Sequence, residues 1–183
     1  EWQIAAVHRT DLQTSLEVTN KRSQNFYAES LFKLLGAVLC GDGSWSGGTR
    51  AVGQFLDRVG LGAGSYRIAD GSGMSRNNRF SARQITRLLE FMFRHPWGRE
   101  FVRSLAYSGE DNGRWDRRLA TPPYLGNVFA KTGTLNGVSS LSGYAKGRSG
   151  KVYAFSILCN GTKGAWHAQR SQDAIVRAII DHG

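Results

Sequence analysis

The sequence predicts an α+β fold, an antiparallel sheet packed with helices. Three observations carry this. Apolar residues recur at helical spacing through the first half of the chain. From Gly126 to Cys159 the pattern changes to strand-like runs separated by turn residues, and a helical period returns from Trp166 to Ile180.

In chain order, Ile4 to Val7 reads as a short strand. Glu1 to Val7 resembles the middle of a strand and no signal peptide opens the chain, so a truncated or processed piece of something longer is expected. Phe26 to Leu39 is a predicted helix, with Tyr27, Leu31, Leu34, Leu35 and Val38 at helical spacing. Gly41 to Gly48 is glycine- and serine-rich and reads as a loop. Thr49 then precedes an amphipathic segment (Ala51, Val52, Phe55, Leu56, Val59) that Gly60 closes.

Asp70 to Gly73 is a second turn-rich loop, either a border of a cleft or a tight turn. Ser81-Ala82-Arg83-Gln84 has the form of a capping box, and Ile85, Leu88, Leu89, Met92 and Phe93 continue that helix. His95 before Pro96 marks its end, and Pro96 begins another helix through Phe101, Val102 and Leu105. Gly126–Leu135, Ser140–Lys146 and Lys151–Cys159 are the expected strands, turning at Asn136-Gly137 and Gly147–Gly150. The last helix should cover one face of the sheet; the order of the strands is left open.

A length of 183 residues suits a single domain, taken as residues 1–183. Apolar content of 40% with 21% charged residues excludes a disordered chain. The most apolar stretch, Leu31 to Cys40, is too short to span a membrane and contains Lys33, so no transmembrane segment is expected. The net charge of +10 favours anionic partners such as nucleic acid, acidic lipid or an anionic wall polymer. Its lysines and arginines are scattered, without the stripe or module that nucleic-acid binding requires, so no nucleic acid is expected. Cys40 and Cys159 read as small buried hydrophobes, their pairing left open; the four histidines lack metal-ligand spacing, so no metal and no cofactor are expected.

Two short motifs carry chemistry. In Val128-Phe129-Ala130-Lys131-Thr132-Gly133-Thr134-Leu135, apolar residues lead into a lysine, two threonines and a glycine, as in an edge strand holding a cation and hydroxyls over a cleft. An exposed lysine that blocks edge pairing would look the same. In Ser23-Gln24-Asn25, a hydroxyl and an amide two residues apart point the same way if the chain is extended. An ordinary helix N-cap is the alternative.

Together with Asp70-Gly71-Ser72-Gly73-Met74-Ser75-Arg76 and Ser140-Leu141-Ser142-Gly143-Tyr144, these motifs fall in the order of one family across nearly the whole chain. The chain resembles the C-terminal part of the D-alanyl-D-alanine carboxypeptidase/endopeptidase family, low-molecular-mass class C penicillin-binding proteins. The resemblance implies a β-lactamase/transpeptidase-like fold and acyl transfer outside the cytoplasm, in the periplasm or its equivalent. A serine would attack the D-Ala-D-Ala peptide bond, D-alanine would leave, and water would hydrolyse the acyl-enzyme; β-lactams would acylate the same serine.

By the same resemblance, Ser23 would relay a proton to the leaving amine and Asn25 would bind the substrate's backbone carbonyl. Lys131 would assist proton transfer and attract the terminal carboxylate, which Thr132 and Thr134 would hydrogen-bond. The Thr134 N–H would form half of an oxyanion hole, and Gly133 would let substrate approach closely. Asn112-Gly113-Arg114-Trp115 departs from the family's usual Gly-Thr-Leu, which bears on one loop beside the cleft.

The family's nucleophilic Ser-x-x-Lys lies far N-terminal, ahead of where this chain begins. Ser30-Leu31-Phe32-Lys33 matches the same pattern. It falls away from the apolar face centred on Tyr27, Leu31, Leu34 and Val38, and Glu29 and Lys33 form a favourable i,i+4 pair. A lysine acting as base needs burial or a neighbouring cation, so the segment reads as a solvated face.

The expected ligands are therefore peptidoglycan peptides ending in D-Ala-D-Ala and β-lactams, with the chain by itself inactive. A non-catalytic peptidoglycan or β-lactam binding module, or a chain completed by a separate N-terminal partner, is the alternative. Apolar surface left uncovered by the missing helix would favour an N-terminal segment or self-association.

Overall fold

The computed structural model describes residues 3–4, 6–7, 9–111, 115 and 117–183. Where a strand was expected at the start, Ile4, Ala6 and Val7 have no strand partner, and Ile4 is 84% exposed; Ala5 lies outside the described residues. The first element is instead a helix, α1 (Leu12–Lys21), capped by Asp11, whose side chain accepts from Thr14 N. None of its residues is fully buried, so no strong apolar period announces it.

Helix α2 (Asn25–Cys40) ends at Gly41, in the left-handed conformation that suits glycine. Helix α3 (Trp45–Val59) begins four residues before Thr49, with Ser44 as its cap, so half of the expected loop is helical. The glycines there serve packing. A Cβ on Gly47 would lie 1.8 Å from the Asp42 carbonyl oxygen, and one on Gly36 would lie 2.5 Å from Gly47. Only bare backbone lets α2 and α3 approach this closely.

Helix α4 (Ala82–Arg94) carries the expected capping box between Ser81 and Gln84 and ends at His95. A short helix α5 (Gly98–Ser104) follows Pro96. The sheet is antiparallel in the order β1-β2-β3-β4, with β1 at Ala106–Tyr107, β2 at Val128–Leu135, β3 at Val138–Lys146 and β4 at Val152–Asn160. Leu135 pairs with Val138, so Asn136-Gly137 is the two-residue turn expected. The two-residue β1 has no signal of its own in the sequence.

Helix α6 (Ala165–His182) covers one face of the sheet, where Val176 and Ile180 pack with Val128, Ala130, Leu141, Ala145 and Phe155. On the other face Leu89, Leu105 and Tyr144 pack with Phe101 and Phe129. Cys40 and Cys159 are both free and half-buried rather than buried.

The apolar stripe of α2 faces outward. Phe32 and Gly36 are its buried residues, whereas Leu34, Leu35, Val38 and Leu39 are exposed, Val38 by 71%. Helical periodicity located a stripe but not what covers it.

Candidate active site

The junction between α1 and α2 forms one wall of a cleft. Asn20 Nδ2 donates to Ser104 Oγ at 2.8 Å, and Lys21 Nζ contacts Glu110 Oε1 at 2.8 Å, tying the end of α1 to α5 and the segment after β1. Beyond this anchor the chain turns sharply. Ser23 has φ +53°, in the left-handed region rarely taken by non-glycine residues, and Gln24 is extended. The expected extended run at Ser23 is therefore absent, and a left-handed turn brings its hydroxyl to the cleft. Gln24 is the N-cap of α2 and makes no side-chain cap bond, so neither Ser23 nor Asn25 occupies the capping position.

Strand β2 forms the opposite wall. The carbonyl of Val128 accepts from Ser108 N on the β1 side. By the alternation of an antiparallel ladder, Thr132 and Thr134 turn their N–H and C=O groups to that same side. Strand β1 pairs only with Phe129 and Ala130, so this stretch of β2 is an open edge among the described residues. Lys131 Nζ donates to the Thr132 carbonyl at 2.9 Å and to Ser23 Oγ, closing the two walls on each other.

Between them lies a cavity of about 530 Å³. Ser23, Asn25, Lys131, Thr132, Gly133 and Thr134 all line it. Among the described lining residues Lys131 is the single charged one, so the cleft favours an anion. A Cβ on Gly133 would meet Ser140 Oγ at 2.4 Å; the missing side chain admits Ser140 from the neighbouring strand. Met74 and Ser140, from the two further family-order segments, also line the cavity, as do Thr19 and Asn20 at the end of α1.

The Asp70 loop borders the cleft through Gly71, Ser72, Gly73 and Met74. It is seated on α2 by Glu29, which accepts from Ser72 Oγ at 2.6 Å, Ser72 N at 3.1 Å, Trp45 Nε1 at 2.9 Å and Gly71 N at 3.3 Å. Burial by itself would raise the Glu29 pKa, but the donors from Ser72, Trp45 and Gly71 outweigh it and hold the carboxyl below its ordinary value.

The expected Glu29–Lys33 pair is therefore absent. Lys33 Nζ instead lies 3.5 Å above the centre of the Trp45 ring, and Ser30 is exposed. Neither lines the cleft. No group of three or more metal-ligating side chains occurs among the described residues. The departure at Asn112 to Arg114 lies outside the described residues, while Trp115 is fully buried in the core beneath α6.

A sequence profile of the D-Ala-D-Ala carboxypeptidase 3 (S13) family matches residues 1–180. The chain belongs to this family. Among S13 relatives, the D-alanyl-D-alanine carboxypeptidase of Actinomadura sp. (strain R39) is 37% identical over 190 residues, covering 100% of this chain and 35% of the relative. D-alanyl-D-alanine carboxypeptidase DacB of Haemophilus influenzae is 32% identical over 164 residues, covering 87% of this chain and 34% of the relative. This chain thus spans about a third of the length of these curated relatives.

The crystal structure of penicillin-binding protein 4 (DacB) from H. influenzae, complexed with a β-lactam, superposes with a TM-score of 0.82 at 27% identity. It covers 92% of this chain and 41% of that one. The TLA-1 extended-spectrum β-lactamase, 16% identical, superposes at 0.69 and shares the fold. The α+β, β-lactamase/transpeptidase-like class expected from the sequence is the observed one. Among the described residues, no helix is long and apolar enough to cross a membrane.

Proposed function

We propose that residues 1–183 form the C-terminal part of a serine D-Ala-D-Ala carboxypeptidase/endopeptidase domain that acts on peptidoglycan peptides outside the cytoplasm. The observation that carries this reading is the bond from Lys131 Nζ to Ser23 Oγ at the open edge of β2. A cation against a hydroxyl is suited to moving a proton to a leaving amine. The same ammonium and the Thr132 and Thr134 hydroxyls would hold the terminal carboxylate of a D-Ala-D-Ala peptide or a β-lactam. Asn25 would bind the substrate's backbone carbonyl, and the Thr134 N–H, turned to the open edge of β2, would serve as an oxyanion donor. Gly133 makes room for Ser140 Oγ, which lines the cleft beside it.

The nucleophile would come from a segment outside these residues, either a longer chain or a separate partner. The outward apolar stripe of α2, from Phe26 to Leu39, supports this, because such surfaces normally seek a cover. Without that segment the same face would drive self-association. A non-catalytic module that binds wall peptides or β-lactams is the second reading, favoured by a cleft whose described lining includes anion-binding groups but neither residue of Ser30-x-x-Lys33.

Mass spectrometry after incubation with a β-lactam tests the assignment. The chain alone should form no covalent adduct, and a stoichiometric adduct on Ser30 would overturn the rejection of Ser30-x-x-Lys33. Supplying an upstream segment with its own Ser-x-x-Lys should restore D-alanine release. Tight peptide binding without release would favour the binding module.

A further inference from the structure

The loop beside the cleft is built as a strut, held at both ends. At one end the Glu29 carboxylate grips Gly71 N, Ser72 N and Ser72 Oγ. Gly71 is pressed onto α2 there: a Cβ at this position would lie 2.5 Å from Phe32 Cβ and 2.7 Å from the Ala28 carbonyl. In the middle, Asp70 accepts from Gly73 N and Asn78 Nδ2, both at 2.8 Å, and from Ser75 N at 2.5 Å, so the loop is closed on itself. Arg67 and Arg79 bridge its base through paired backbone bonds. At the far end Arg76 Nη2 donates to the Asn136 carbonyl at 2.7 Å. Asn136 is in the β2–β3 turn, two residues beyond Thr134.

We propose that Glu29 is a positioning residue that sets the spacing of the two cleft walls through this strut, acting on the Thr134 end of β2 without touching it. It sits one helical turn after Asn25, so the residue that anchors the loop and a residue lining the cleft share one face of α2. A carboxylate taking several donors holds the loop more firmly than a neutral acceptor would. Positioning matters here because an error of about 1 Å in bound geometry can cost on the order of a hundredfold in rate. This role rests on reading the cavity as the substrate cleft, but the mechanical coupling can be measured without substrate.

Hydrogen exchange on the 183-residue chain, followed by mass spectrometry, compares wild type with Glu29→Gln, Glu29→Ala, Arg76→Gln and the pair Glu29→Ala/Arg76→Gln. Glu29→Ala should accelerate exchange by about tenfold or more at residues 71–73 and also at residues 136–138, with Glu29→Gln intermediate. Combined with Arg76→Gln, it should add nothing further at 136–138, because the strut is already cut. Acceleration confined to residues 71–73, in either Glu29 variant, would overturn the proposal, as would additive effects at 136–138. Tyr124→Phe, which removes a bond to Asp181 far from the cleft, serves as the destabilised control and should leave 136–138 unchanged. Titration with an N-acyl-D-Ala-D-Ala peptide separates the two readings. If wild type shows the coupling but no peptide affinity, the functional reading fails and the positioning role stands; if it binds, Glu29→Ala should weaken binding by about tenfold.

Discussion

Lys131 Nζ donates a hydrogen bond to Ser23 Oγ, joining residues 108 positions apart, and the serine that receives it holds a left-handed backbone. That conformation costs a non-glycine residue about 1–2 kcal/mol. Here the anchors from Asn20 to Ser104 and from Lys21 to Glu110 fix the turn from outside.

Exchanging this serine should separate strain from chemistry. Ser23→Gly should be more stable than Ser23→Ala by about 1 kcal/mol in urea unfolding, since glycine takes positive φ without penalty. Both should lose on the order of a hundredfold in D-alanine release when the nucleophile segment is supplied, because neither can relay a proton. Full activity in Ser23→Gly would remove the hydroxyl from the reaction.

Two glycines of α3 should behave oppositely. Gly47→Ala drives a methyl into the Asp42 carbonyl and should cost about 3 kcal/mol or more. Gly53→Ala meets only Tyr66 Oη at 3.7 Å, an ordinary contact, and should stabilise the protein by about 0.5–1 kcal/mol. Thermal unfolding of the two variants checks both signs.

Alkaline stability should depend on Tyr144, whose buried hydroxyl donates to the Leu89 carbonyl at 2.6 Å. Burial raises its pKa well above the ordinary value of 10.0. The folded protein therefore keeps it neutral while the unfolded chain can ionise. Its contribution to stability is fully present below pH 10 and is lost as pH rises from there toward the folded value. Tyr144→Phe should cost about 1–2 kcal/mol at neutral pH and flatten the decline above pH 10, measured by denaturant unfolding at each pH.

The outward stripe of α2 should govern association. Leu34→Lys and Val38→Lys together should change stability by less than about 0.5 kcal/mol at each site, as exposed positions do. They should abolish self-association in sedimentation and weaken capture of an upstream segment. A wild-type chain that is cleanly monomeric with a single cooperative melt would count against the stripe as an interface.

Much of this was legible from local pattern. The hairpin turn at Asn136-Gly137, the capping box at Ser81 and Gln84, and the C-terminal stops at Gly41 and Gly60 depend on neighbouring residues, and all are present. Helix α1 has no strong sequence signal because its apolar residues are few (Leu12, Leu16, Val18) and most of its positions are only half-buried, although the Asp11–Thr14 cap marks its start. Gly47 and Gly48 read as loop because the packing that requires them comes from another helix. The i,i+4 spacing predicts Lys33 as the partner of Glu29, whereas its partners lie 16 to 43 positions away.

By itself, then, the sequence determined the α+β class, the strands of the hairpin and the identity of the cleft residues Ser23, Asn25 and Lys131 to Thr134. Periodicity, capping and turn chemistry act over a few residues, and a motif keeps its order along the chain. Only the tertiary structure decided which way α2 turns its apolar stripe, that Ser23 reaches Lys131 through a left-handed turn, and that Glu29 grips the Asp70 loop instead of Lys33. Those outcomes depend on contacts between elements far apart in sequence, where close packing and the need to satisfy buried polar groups override local spacing.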